Sequence, residues 1–471
     1  MGQSDLQNLV AHYLAANYPS VLSSFLSASQ TPPPDLSQPP VPDLRTLVED
    51  YVSEQITRNL QDVQIDHDME KATDGSWKGW TPNDIVKISL PSEVKLQGVK
   101  RSIEGISAMN LLTVGTTQIP RRVFDTSIAA YRSSYTPSII TTSVDKSLRI
   151  IDYRTGEVDS IIEPHKAAIL AFAIHPQNPR YLLTGSMDGT TILTDLITSQ
   201  TLQTFKSTKF VVRAAFSPNG NFMATSSYDH NIVIYAATSS AVPPPLDEDD
   251  MPLDDTDDIL LASEPGLRYQ EVHRIKVESN PEAILFHPDS TWLLYTLRNS
   301  HLLHYIRLPS SERSEVKDWG TTTKSFNPHP MDNHVSFSVL NMALHPSGKI
   351  VACQTGDHRG NTGERILLYG IEPEETDRLA VLWTGSEGDD FVLPRMSWLP
   401  DGSGLITTTP NGYLNLISMS GENRSSVKIH GAVNLGQASS EVVRDCTVVT
   451  TERGDWEVVS VGYDRQVRIS R

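Results

Sequence analysis

Along most of this chain, apolar positions fall in short runs of four to six residues, and the grouping recurs about every forty residues. Each unit hinges on a Pro-centred turn, at His175-Pro176, Ser217-Pro218, His287-Pro288, His345-Pro346 and Leu399-Pro400. An apolar run precedes the turn and another follows it. A second turn then carries Asp, Asn or Gly, and a third apolar run closes the unit. One unit reads Ile169–Ile174, Tyr181–Ser186, Asp188, then Thr191–Leu196. Another reads Val211–Phe216, Phe222–Ser226, Asp229, then Ile232–Tyr235. The pattern predicts three strands per unit and seven units from about residue 105 to the end.

Repeats of this length built from short strands imply a β-propeller, a ring of sheets that presents two broad faces. The units resemble WD repeats, best at Thr184-Gly185-Ser186-Met187-Asp188-Gly189 and Thr225-Ser226-Ser227-Tyr228-Asp229-His230. The Trp-Asp dipeptide itself is never intact; its places hold Ile151-Asp152, Thr194-Asp195 and Tyr235-Ala236. The resemblance implies that Asp145, Asp188, Asp229 and Asp464 hydrogen-bond within their blades, with His165 a candidate partner for Asp188. The third strand of the last unit ends at Ile469, two residues before the last residue. An N-terminal segment, Met109–Val114 or Arg122–Phe124, is therefore expected to supply the outer strand that closes the ring.

The first sixty residues follow a different period. Leu6, Leu9, Val10, Tyr13 and Leu14 share one face of a helix; after Asn17-Tyr18-Pro19, Val21, Leu22, Phe25 and Leu26 form a second stripe. Two such short helices bury too little apolar surface to fold alone. The positions Leu6, Leu9, Val10, Tyr13, Leu14, Tyr18, Val21 and Phe25 resemble the LisH (lissencephaly-type) homology motif. That resemblance implies homodimerisation through these residues; packing of the hairpin on the chain's own propeller is the alternative. The expected organisation is a LisH-like dimerisation motif over 1–30 and a Pro-rich linker over 31–43. An amphipathic helix over 44–63 and a polar connector over 64–104 follow, then a mostly β, seven-bladed propeller over 105–471.

Charge adds one feature. The net charge is −18, which argues against direct nucleic-acid binding, since phosphates need a positive field. Much of it sits in an insertion at 241–261, where Pro243-Pro244-Pro245 leads into Asp247, Glu248, Asp249, Asp250, Asp254, Asp255, Asp257 and Asp258. Such a run is usually solvated, and its sharper reading is a hook for a basic partner. Two cysteines, Cys353 and Cys446, lie in strand-like runs and read as buried thiols. No apolar run is long enough to span a membrane and no signal-peptide pattern opens the chain. The expected location is cytoplasm and/or nucleus.

Chemistry is sparse. The chain lacks a phosphate-binding Gly-Lys-Ser/Thr loop, a Gly-x-Ser-x-Gly elbow and a His-Glu-x-x-His pair, and its His residues do not cluster at metal spacing. No catalytic, cofactor or metal residues are nominated, and no cofactor is expected. The turn residues His175, His287 and His345 occupy one repeat position and read as structural. The stretch Ser143–Arg154 resembles the Asp-x-Arg box of WD-repeat substrate receptors, which dock on the adaptor of cullin-type ubiquitin ligases; Asp145, Asp152 and Arg154 match it, and Ile151 replaces the usual Trp or Phe. The leading expectation is a protein-interaction scaffold that is not an enzyme, with the ligase receptor as alternative. An enzyme site hidden in the central channel is the third reading.

Overall fold

The computed structural model describes residues 3–34, 81–125, 130–238, 266–309, 319–327, 329, 331–357, 364–386, 392–431, 441–451 and 453–471. The chain divides into two units, Met1–Lys78 and Gly79–Arg471. In the first, α1 (Gln3–Asn17) and α2 (Pro19–Ser29) pack on each other. Tyr18 breaks them apart and Pro19 starts the second, where its missing N–H costs nothing. Gln30, at φ 54°, ends α2 in the left-handed conformation. The expected helix over 44–63 and the acidic insertion over 241–261 lie outside the described residues.

The second unit is a seven-bladed propeller of four-stranded antiparallel sheets. After α3 (Pro82–Lys87) and β1 (Val99–Ile103), blade 1 comprises β2 (Leu111–Asp125), β3 (Ala130–Ser143), β4 (Leu148–Asp152) and β5 (Val158–Ile162). Blade 2 is β6 (Ile169–Ile174), β7 (Tyr181–Ser186), β8 (Thr190–Asp195) and β9 (Gln200–Lys206). Blade 3 is β10 (Val211–Phe216), β11 (Phe222–Ser227), β12 (Asn231–Ala237) and β13 (Tyr269–Lys276). Blade 4 is β14 (Pro281–Phe286), β15 (Trp292–Leu297), β16 (Leu302–Arg307) and β17 (Thr321–Ser325). Blade 5 is β18 (Phe337–Leu344), β19 (Ile350–Asp357), β20 (Arg365–Gly370) and β21 (Arg378–Trp383). Blade 6 is β22 (Met396–Trp398), β23 (Gly404–Thr408), β24 (Tyr413–Ser418) and β25 (Asn423–Lys428). Blade 7 is β26 (Val443–Thr450), β27 (Trp456–Gly462) and β28 (Val467–Ser470), closed by β1.

The closing strand corrects the sequence expectation. Val99–Ile103 pairs with β28, with Arg101 opposite Ile469 and Ile103 opposite Val467. Met109–Val114 and Arg122–Phe124 instead fall at the start and end of β2, the inner strand of blade 1. The stretch read as a polar connector thus carries structure. Ile85 of α3 packs with Leu379, Leu382, Met396 and Trp398, while Leu90 and Leu96 pack with Leu414, Ile429 and Val443.

Burial follows strand position. Middle strands such as β7 and β23 are buried throughout, their Thr and Ser residues included. Outer strands such as β1 and β5 expose most of their residues. Seven apolar clusters lie one between each pair of neighbouring blades, and the one joining blade 7 to blade 1 (Ile103, Leu111, Ile139, Val459, Ile469) completes the ring. The turn histidines seal these seams. His175 stacks edge-on against Phe216 at 5.0 Å and His345 against Trp398 at 4.7 Å. Each lies flush against a glycine of the next blade, Gly220 (φ +69°) and Gly402 (φ +75°). A Cβ there would sit 2.6 Å and 2.2 Å from the imidazole. Both cysteines are buried and free, and burial pushes the Cys353 thiol up to about 12.

Candidate interaction faces

A four-stranded antiparallel blade sorts its turns by face. The turns joining second to third strands, and the connections between blades, open on one face of the disc, called here the entrance face because the inner strands begin there. The other turns open on the opposite, exit face.

The four turn aspartates brace the entrance face. Asp188 Oδ1 accepts from the Thr190 amide (2.8 Å) and hydroxyl (2.6 Å); its Oδ2 accepts from the Lys166 amide (2.8 Å) and lies 3.2 Å from His165 Nδ1. Asp464 repeats the arrangement with His430 (2.8 Å), whose Nε2 lies 2.9 Å from Ser460 Oγ. Asp145 accepts from Ser107 (3.0 Å) and pairs with Arg149 (2.7 Å), and Asp229 accepts from the Thr208 amide (3.0 Å). Each carboxylate ties its own turn to the connection arriving from the preceding strand. Burial alone would raise their proton affinity, but these donors outweigh it and hold all four below the usual carboxylate range.

On that braced face, four large apolar side chains stand in water over adjacent blades. Met109 (45% exposed) and Val144 (38%) belong to blade 1, Met187 (39%) to blade 2, and Phe210 (43%) opens blade 3.

Beside them lies the mouth of the central channel. Inner strands of six blades carry a bulge near their start, and the residues just past it are Thr113, Ala171, Arg213, Ala283, Asn341 and Asp445. Arg395 occupies the same place in blade 6, hydrogen-bonded through its carbonyl to the Thr408 amide at 3.1 Å. Arg213 reaches across from blade 3 to the Leu340 carbonyl of blade 5 (2.9 Å). Arg444, the bulge residue of blade 7, donates to the Leu393 carbonyl (3.1 Å), and Arg395 Nε lies 3.8 Å from Asp445 Oδ1. Glu282 pairs with Arg298 at 2.7 Å. Burial, then the neighbouring Arg395, depresses both Arg213, to about 9, and Arg444.

The exit face has a cavity of about 590 Å³ between blades 7 and 1, lined by Lys100, Thr117, Tyr153, Arg154, Arg453 and Arg471 among others. Glu457 on its wall accepts hydrogen bonds from Tyr153 and Lys100. Asp152 and Arg154 lie here, in the turn after β4: Asp152 Oδ1 accepts from the Arg154 amide (2.8 Å) and the Thr155 amide (2.7 Å), so the carboxylate shapes the turn.

In the head, Val10, Tyr13, Leu14 and Phe25 are half-buried, whereas Tyr18 (55%) and Val21 (50%) are exposed. The rings of Tyr13 and Tyr18 stand 6.2 Å apart. The side chains of Leu6 and Leu9 lie outside the described residues. Among the described residues no group of three or more His, Cys, Asp or Glu could hold a metal, and no helix is long and apolar enough to cross a membrane.

The geometry defines a seven-bladed β-propeller, a ring that presents two broad faces. Residues 156–195 and 199–235 match the WD domain, G-beta repeat, family. Each matched stretch begins with the outer strand of one blade and ends on the third strand of the next, so the sequence repeat straddles two blades and interlocks them. The chain is also similar to "Protein tipD" of Dictyostelium discoideum, 32% identical over 102 residues. The match covers 20% of this chain and 17% of that protein.

The sequence did not single out the arginine ring or the apolar patch. A signal for the ring was present, since Arg213 and Arg395 each stand five residues before a turn Pro.

Proposed function

We propose that the protein is a non-enzymatic scaffold of cytoplasm or nucleus that pairs through its LisH-like head and holds partner proteins on the entrance face. The observation that carries this reading is the exposed group Met109, Val144, Met187 and Phe210 on a face whose turns are locked by hydrogen-bonded, largely half-buried carboxylates. A rigid rim with apolar side chains loses little conformational entropy when a partner covers it. Pairing through Tyr13, Tyr18, Val21 and Phe25 would place two such discs in one particle and raise avidity for repetitive partners. Light scattering checks the pairing: full-length protein is expected at twice the chain mass and a chain starting at residue 79 at once its own. Equal stoichiometry in both would remove the head's role.

The groove beside Arg154 favours a second reading, a ligase receptor docking through Asp152 and Arg154 on the exit face. One capture experiment separates the two. The double substitution Met187→Ser/Phe210→Ser is expected to cut partner recovery at least tenfold while Arg154→Ala leaves it intact. Loss of a cullin adaptor with Arg154→Ala alone would support the ligase reading instead.

A further inference from the structure

We propose that the exit-face cavity between blades 7 and 1 is a seat for an Asp/Glu-rich peptide, and that its occupant is this chain's own acidic run, Asp247–Asp258. The seat lies on the face opposite Met187 and Phe210, so its failure would leave the proposed partner surface untouched.

The cavity favours negative charge. Among the described residues its lining carries four cations, Lys100, Arg154, Arg453 and Arg471, against two carboxylates, Asp455 and Glu457, an excess of two. That sign is opposite to the net charge of the chain, −18. Glu457, 4% exposed, accepts from Lys100 and Tyr153, and Asp455 pairs with Arg471 at 3.0 Å. Both acids of the wall are thus answered from within it, while Arg453 stands exposed at the rim. A volume of about 590 Å³ is that of a site for a ligand rather than for a single ion.

The cavity also opens onto a free strand edge. β3 is 14 residues long, yet β4 pairs with it only from Ser138 to Thr142. Tyr153 N–H donates to the Pro137 carbonyl at 2.9 Å, and Pro137 has no N–H for the next rung. From Pro137 back to Ala130, β3 pairs with β2 alone among the described residues. A two-stranded ribbon is marginal in water, and its edge is a template for a further strand. Pro137 and Ser138 line the cavity, so that edge starts at its wall. A segment added there would turn every second side chain towards the cations.

Topology and charge choose the occupant. A turn from third to outer strand opens on the exit face, and the chain between β12 and β13 is such a turn, bounded by Thr238 and Gly266. Residues 239–265 hold no Lys or Arg, and eight carboxylates fall within 247–258. The middle of that segment is 14 residues from either anchor. Extended, that length reaches about 45 Å, against a radius of gyration of about 21 Å for a domain of this size. Tethering holds the acids at an effective concentration on the order of millimolar, and a free acidic segment must compete with that.

The test uses full-length protein and zero-length carbodiimide coupling, which joins an amine to a carboxylate only when the two touch. In the single-chain band of a denaturing gel, peptide mass spectrometry is expected to find Lys100 coupled to a carboxylate of 247–258, with the Lys100–Glu457 link as internal control. The first link should fall about tenfold at about 1 M salt, where the screening length is about 3 Å. The second probe is a labelled peptide with the sequence of residues 245–260. A variant with the eight acids replaced by their amides should bind it about tenfold more tightly than wild type, because no tethered competitor remains. Adding Arg453→Gln/Arg471→Gln should abolish that gain at an unchanged melting temperature. A control link that forms while Lys100 never couples to the run overturns the proposal. A link confined to the double-mass band makes a second copy the occupant and overturns it too. Peptide binding equal in wild type and the amide variant, yet lost with the arginines, gives the seat to acidic partners and overturns the chain's own run as occupant. Binding indifferent to the arginines overturns the seat itself.

Discussion

A chain lacking residues 1–104 is expected to lose cooperative unfolding and to aggregate, whereas a chain lacking residues 1–78 keeps the propeller's melting transition. The difference lies in 26 residues, nine of them apolar. Ile85, Leu90, Leu96 and Ile103 are each at most 7% exposed. Burying such side chains contributes about 2 kcal/mol apiece, on the order of 8 kcal/mol for the four, which is comparable with the whole stability of a typical domain. Backbone ties add to this. Leu90 N–H donates to the Ser403 carbonyl (3.0 Å), Leu96 N–H to Ser425 Oγ (2.9 Å), and Arg424 to the Leu90 carbonyl (3.2 Å). Without β1, β28 becomes a bare edge, a template for pairing with other chains. Differential scanning calorimetry with light scattering reads both consequences. A sharp transition at the same temperature in the chain starting at residue 105 would show that β1 does not close the ring.

The same segment marks where sequence reading reached its limit. The ring of seven blades was legible because middle strands, buried on both sides, open with short apolar clusters, and because the turn Pro and the Asp of the following turn repeat in register. The turn residues were legible too, since a side chain that must satisfy its own turn leaves a fixed spacing, as Asp188 does with Thr190. β1 was not legible: an outer strand packs on one side only, so Val99-Lys100-Arg101-Ser102-Ile103 reads as polar chain. Met109–Val114 drew attention instead because it is strongly apolar, and it is so because it begins an inner strand. The arginines at the channel mouth escaped for a further reason. No single repeat reveals a site assembled from blades 3, 6 and 7; only ring closure brings Arg213, Arg395 and Arg444 together. The apolar patch was hidden likewise, since Met109, Val144, Met187 and Phe210 occupy turns and connections where single apolar residues look incidental.

Acid is expected to weaken the propeller in two separate steps, the first set by the histidines at the blade seams. His175 is 1% exposed, and its Nδ1 accepts hydrogen bonds from the amides of Gln177 (3.2 Å) and Asn178 (3.1 Å), so the folded ring must be neutral. Burial lowers its proton affinity from the model-compound value of 6.5 to about 4. His304 falls to about 4 for the same reason, and His345 is lowered as well. The sign follows directly. Between pH 6.5 and 4 the unfolded chain takes up protons that the folded chain refuses, so stability is fully present above 6.5 and drains as pH falls towards 4. For His175 alone the loss is on the order of 3 kcal/mol. The four turn aspartates act lower, because their folded affinities lie below the unfolded value near 4 and their contribution is lost only as pH falls beyond it. Urea midpoints of wild-type and His175→Gln protein at pH 7, 5.5 and 4.5 isolate the first step. The variant is expected to be weaker at pH 7, because the stack on Phe216 and the fit against Gly220 are lost, and the gap should narrow steadily towards pH 4.5. A gap that stays constant across that range would mean that His175 carries its proton in the folded protein, and the neutral seam would have to be abandoned.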